Sequence, residues 1–151
     1  MIGLDTNVVV RYLVQDDLKQ SELANSIIEK AIVEGQTLRI SQVTLCEIVW
    51  VLERCYEVSK KEIVGVLKQL LQTQQILVEQ DGVARQALSD FEHHSGVDVS
   101  DCLIGRQNIS SDCSFTYTFD KNAAKKLRAT FKLVVCNKSF KRYFEFLDIN
   151  S

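Results

Sequence analysis

The chain has 151 residues, enough for one domain with a substantial core. Its hydrophobic share of 46% and charged share of 25% exclude the disordered and fibrous classes. A net charge of −2 conceals an asymmetry: residues 1–120 carry 10 Lys/Arg against 18 Asp/Glu, a charge of −8, whereas residues 121–151 carry 8 against 2, a charge of +6.

Short apolar runs alternate with longer patterns of helical period. Residues 2–4 lead straight into Asp5 and predict a buried strand, followed by a helix over 7–14 that Thr6 or Asn7 can cap. Over 18–33, Leu23, Ile27, Ala31 and Ala24, Ile28, Ile32 recur at four-residue steps and predict a helix. A short strand is expected over 37–40, with Ser41 capping a helix over 42–56. Ser59 and Glu62 form a capping box, and Ile63, Val66, Leu67, Leu70 and Leu71 make the apolar face of the helix that follows. A strand over 75–78 precedes a helix over 81–91 with Val83, Ala84, Ala87, Leu88 and Phe91 inward. The remaining expectations are a helix over 101–109, a strand over 115–118, a helix over 121–127, a strand over 132–135 and a closing amphipathic helix marked by Phe140, Tyr143, Phe144 and Leu147. This alternation favours a parallel sheet covered on both faces, with a site at the C-terminal ends of the strands.

No basic lead-in precedes the acid at position 5, which is unlike a signal peptide. The longest apolar stretch, around 48–52, is far shorter than the ~20 residues a membrane span needs. A cytoplasmic protein with no membrane partner, one domain over 1–151, is the expectation. The five cysteines, Cys46, Cys55, Cys102, Cys113 and Cys136, are odd in number and widely spaced, so reduced thiols serving as small core residues are expected rather than disulfides or zinc ligands. His93 and His94 are adjacent and cannot share a helix face as ligands. The basic segment 121–151 reads either as a surface for phosphates or an acidic partner, or as a solvated face.

The chemistry lies in the acids. Asp5 ends an apolar run, where the helix dipole alone explains an acid but not its setting. Glu47 sits between Val43-Thr44-Leu45-Cys46 and Ile48-Val49-Trp50-Val51-Leu52, so burial is expected; a buried unpaired carboxylate would need a cation or donors, with Arg54 the alternative partner. Asp98 and Asp101 stand three apart after Gly96, suited to capping a helix and occupying its first turn, with Asp101 the stronger ligand candidate and Asp98 a possible one. Asp120 ends the strand that contains Thr118 and could cap the next helix. Two carboxylates ~4 Å apart repel by about 4 kcal/mol at an effective dielectric near 20. Converging acids without a His/Cys ligand set therefore point to Mg²⁺ or Mn²⁺, and such an ion supports phosphodiester hydrolysis.

The ordered set Gly3-Leu4-Asp5-Thr6-Asn7, Thr44-Leu45-Cys46-Glu47-Ile48-Val49-Trp50-Val51-Leu52-Glu53-Arg54, Asp98-Val99-Ser100-Asp101-Cys102-Leu103-Ile104 and Thr118-Phe119-Asp120-Lys121 resembles the PIN-domain family, specifically its VapC-type toxins, over residues 1–136. The resemblance implies a three-layer α/β/α sandwich with a central, mostly parallel sheet. It also implies Mg²⁺-dependent endoribonuclease activity, an RNA substrate, neutralisation by a cognate VapB-like antitoxin whose C-terminal segment covers the acidic pocket, and frequent homodimers. By position, Asp5, Glu47, Asp101 and Asp120 would be the metal-binding and catalytic quartet, with Asn7 and Thr118 in support. Cys102 departs from the alanine common after the third acid.

Other classes fit less well. A haloacid-dehalogenase-type phosphatase would begin Asp-x-Asp, and here Asn7 replaces the second acid. A receiver domain would carry its phosphoacceptor mid-chain. A PIN nuclease of RNA maturation or DNA processing, and a non-catalytic PIN RNA-binding module, remain as alternatives.

Overall fold

The computed structural model describes residues 1–135; the expected closing helix and Cys136 lie outside the described residues. In chain order the elements are β1 (Ile2–Gly3), α1 (Thr6–Val14), α2 (Leu18–Val33), β2 (Leu38–Ile40), α3 (Gln42–Cys55), α4 (Lys60–Gln72), β3 (Ile76–Val78), α5 (Asp81–His93), α6 (Val99–Ser110), β4 (Thr116–Thr118), α7 (Lys121–Lys126) and β5 (Phe131–Leu133). All strand pairings are parallel. β1, β2 and β3 form one sheet in that order, with Ile2 opposite Leu38 and Leu38 opposite Ile76, and β4 pairs with β5, Thr116 opposite Phe131. Helices cover the strands in an α/β/α arrangement of the expected class.

The parallel pairing follows from the helical crossovers that separate the strands. β2, the middle strand, carries Leu38 and Ile40 on one face with no exposure at all, while Arg39 turns the other way and donates to Glu79 at 2.6 Å. The caps form where side-chain chemistry favours them. Ser41 accepts from the Thr44 amide at 3.0 Å, and both halves of the Ser59/Glu62 box are present. At α1 the capping position falls to Asp5, not to Thr6 or Asn7.

Helix α2 buries Ser21, Ala24, Ile28 and Ala31 but leaves Leu23 64% exposed and Ile27 and Ile32 outside as well. The buried residues recur at steps of three, four and three, so the core face takes Ala31 from one apolar stripe and Ala24 and Ile28 from the other, and leaves Ile32 outside. Among the described cysteines, only Cys102 is a core residue. Cys46 is half-buried and Cys55 and Cys113 are exposed, so the small-core reading fails for Cys55 and Cys113; all four are free thiols. Burial pushes the Cys102 thiol up to about 12, which leaves it unreactive.

One close approach ties α6 to the second sheet. A Cβ on Gly105 would stand 2.5 Å from Thr130 Oγ1 and 2.8 Å from the Phe131 ring. Glycine at this helical position therefore trades propensity for close packing.

Candidate metal centre

Asp5 leaves β1 in extended conformation (φ −83°, ψ 158°) and takes the N-cap position of α1 without bonding its side chain to the helix, so its exposed carboxylate stays uncommitted. The next residue, Thr6, is buried, and its hydroxyl donates to Glu47 Oε2 at 2.5 Å. A bond from the first turn of α1 to the second turn of α3 thus sets the carboxylate of Glu47 beside the start of α1.

Glu47 is exposed, which corrects the expectation of a buried carboxylate. The core face of α3 is carried by Leu45, Ile48, Val49 and Leu52, and Val43, Glu47, Trp50 and Arg54 recur at steps of four, three and four on the opposite, solvent-facing side. Apolar neighbours in sequence therefore do not surround Glu47 in space. Glu47, Trp50 and Arg54 line a cleft between α3 and the start of α6, but among the described residues Arg54 forms no ion pair with Glu47.

Across the cleft, Asp98 caps α6, and Asp101 Oδ2 in the first turn accepts from the Asp98 amide at 3.4 Å. The turn before it needs Gly96, whose φ of +71° lies in the left-handed region. Burial holds the Asp101 carboxyl above the usual aspartate range; the Asp98 amide pulls it down in part, and the charges of Asp98 and Asp120 push it further up. The two other acids are therefore within electrostatic reach of Asp101. Asp120 caps α7, its Oδ1 accepting from the amides of Asn122 at 2.7 Å and Ala123 at 3.0 Å, while Thr118 Oγ1 accepts from the Asp120 amide at 3.0 Å.

Asp101 thus has Asp98 and Asp120 as neighbours, Asp98 shares a cleft with Glu47, and Glu47 is bonded to the residue after Asp5. Among the described residues, no three His, Cys, Asp or Glu side chains stand close enough to hold one ion jointly. Asn7 makes no side-chain hydrogen bond to the acids among the described residues and lines the groove between α1 and α2 with Val8 and Arg11. Glu79, another acid at a strand end, is occupied by Arg39 and by the Gln42 amide.

The PIN domain family profile matches residues 2–129, most of the chain. This chain is a PIN-domain protein. No curated protein matches its sequence. PIN domains are generally nucleases that bind nucleic acid and use divalent metal ions, so a nuclease-type function follows for the chain at that level.

The donors of this PIN domain suit such an ion. They are carboxylate oxygens without sulfur or imidazole, and Asp5, Glu47 Oε1, Asp101 Oδ1 and Asp120 Oδ2 carry no hydrogen bond among the described residues. A small hard cation that keeps several waters needs only one or two direct carboxylates, so it does not require the four acids to converge on one point. Thr6 was missed at the sequence level: a threonine in a first turn reads as a cap, and nothing local betrays a partner 41 positions away. A second cleft, lined by Lys125, Lys126 and Arg128 beside the Arg106–Asp90 ion pair, concentrates positive charge on α7 and the turn after it. Among the described residues, no helix is long and apolar enough to cross a membrane.

Proposed function

We propose that this chain is a Mg²⁺- or Mn²⁺-dependent endoribonuclease, the toxin of a VapBC-type pair, with Asp5, Glu47, Asp101 and Asp120 as the metal-binding and catalytic acids. The observation that carries the reading is the start of α6: Asp101, partly buried, takes a hydrogen bond from the Asp98 amide, Asp98 shares a cleft with Glu47, and the charges of Asp98 and Asp120 act on Asp101 with its own sign. Packing gains nothing from that arrangement, and a cation relieves it.

A divalent ion, when bound, supplies charge stabilisation on a phosphodiester and a more acidic water. The chain's own residues prepare the place. Thr6 holds one oxygen of Glu47 and leaves the other outward. The helix starts at Asp98 and Asp120 fix those backbones, and the Asp98 amide orients Asp101. Thr118 anchors the turn that presents Asp120. Asp98 stands as a further ligand candidate, and Asn7 only as a residue of the neighbouring groove.

The partners proposed are an RNA substrate, a VapB-like antitoxin and a second copy of the chain, in the cytoplasm. The antitoxin reading draws support from the groove between α1 and α2, where Leu23 and Ile27 expose apolar surface beside Arg11. The test is expression of the wild type beside Asp101→Asn, scoring growth arrest and mapping cut sites in total RNA. Arrest with discrete, Asp101-dependent cuts supports the toxin. Cleavage without arrest would reassign the chain to RNA maturation, cleavage of DNA alone to DNA processing, and binding without any cleavage to a non-catalytic module.

A further inference from the structure

Trp50 is the single tryptophan of the chain, and 59% of it is exposed. The fold does not call for it there, because the buried face of α3 is complete with Leu45, Ile48, Val49 and Leu52. It lies three residues after Glu47 and four before Arg54, so the three share one helix face. All three line the cleft that Asp98 and Ser100 close from the other side. The immediate surroundings of the ring are acidic, with Glu47, Glu53 and Asp98 on the same walls. A phosphate is repelled from such a place, whereas an uncharged flat group is not. Among the described residues, Arg54 supplies the one cationic side chain of this cleft and stands a turn further along α3.

We propose that Trp50 is the stacking platform for an unpaired nucleobase beside the scissile phosphodiester, with Arg54 taking an adjacent backbone phosphate. The inference rests on the nuclease reading above and specifies its substrate as single-stranded at the point of attack. Bases that have left a helix stack on aromatic side chains, and this recognition tolerates sequence because every base has a π-face. In a duplex the bases are already stacked on each other, so the Trp50 face has nothing to receive.

The single tryptophan provides its own readout. A short mixed-sequence single-stranded RNA, titrated into full-length protein carrying Asp101→Asn to prevent cleavage, is expected to quench the Trp50 emission, and the same RNA annealed to its complement to quench it much less. Trp50→Ala in that background should raise the Kd for the single strand about ten-fold, the equivalent of ~1.4 kcal/mol and within the range for one stacked base. Trp50→Phe should recover most of the loss. In the cleaving protein, Trp50→Ala should raise KM more than it lowers kcat, with the melting temperature reporting that the variant is folded. If Trp50→Ala does not fold, quenching in the parent protein and the Kd of Trp50→Phe still decide. RNA that is bound and cut while Trp50 emission stays constant overturns the inference and leaves the nuclease reading standing. RNA neither bound nor cut overturns both. Emission that responds to protein concentration and not to RNA marks the ring as covered by a second copy, which also overturns it.

Discussion

Thr6 and Glu47, 41 positions apart, are joined by a single 2.5 Å hydrogen bond that crosses from α1 to α3. The donor is buried and the acceptor is exposed. The bond therefore contributes less to holding the core than to restricting the direction of an acid that solvent would otherwise leave free to turn. Hydrogen bonds made to a ligating side chain from behind commonly decide how well it is presented to an ion.

Thr6→Val keeps the shape of the buried side chain and removes the donor. Cleavage of RNA is expected to fall by about 10–100-fold and to need more Mg²⁺ for half-maximal rate, while stability changes by no more than ~0.5–1.5 kcal/mol, since Glu47 can bond to water instead. Thr6→Ser should restore most activity. Rates measured across a Mg²⁺ series check this; a Thr6→Val protein that cleaves as the wild type does would remove Thr6 from the site.

Asp101→Asn should abolish cleavage and, in metal-free buffer at neutral pH, melt at the same temperature as the wild type or higher. The folded-state carboxyl is raised by burial and by Asp98 and Asp120, so the folded chain holds this proton more readily than the unfolded one. Its contribution to stability therefore declines as pH climbs from the ordinary value of 3.8 through the raised one. The advantage of the variant should shrink on acidification and vanish once both forms are protonated. Added Mg²⁺ should raise the melting temperature of the wild type more than that of the variant. A variant much less stable than the wild type without metal contradicts the mutual repulsion.

Reversing the charges of Lys125, Lys126 and Arg128 tests the basic cleft. RNA affinity should drop, and the slope of log Kobs against log salt should lessen by ~0.7 for every phosphate of a single strand that is no longer neutralised, with Mg²⁺ affinity unchanged. Binding titrations at several salt concentrations provide the measurement. An unaltered slope would show the cleft to be a solvated surface.

Gly105→Ala sets two effects against each other. Helix propensity favours alanine by ~0.8–1 kcal/mol, whereas the new Cβ meets Thr130 Oγ1 at 2.5 Å and the Thr130 and Phe131 carbons at 2.8 Å. Overpacking of that kind costs about 1–3 kcal/mol, so a net loss is expected, read from the midpoint of denaturant unfolding. A gain in stability would mean that β5 yields easily to α6.

What the sequence could reveal depended on how local the cause was. The bounds of α2 and the Ser59/Glu62 box are set by residues within a turn of each other, and both appear as expected. The strand-end positions of Asp5 and Asp120 were legible for the same reason, because each follows a short apolar run. Exposure was not legible where both sides of a helix are apolar. Val43 and Trp50 made Glu47 look enclosed, and the four-residue steps of α2 marked a helix without marking which of its apolar residues would be buried. The α1–α3 bond of Thr6 and the shared cleft of Asp98 and Glu47 are products of tertiary packing, and no periodicity encodes them.

Asp5, Asp98 and Asp120 each stand at the beginning of a helix, where unpaired amides carry partial positive charge. At Asp120 the amides of Asn122 and Ala123 already bond one carboxylate oxygen, and they go on competing for that anion after a cation arrives. An ion received there would be held loosely and exchange readily, so the working fraction of the protein would rise and fall with the divalent level around it.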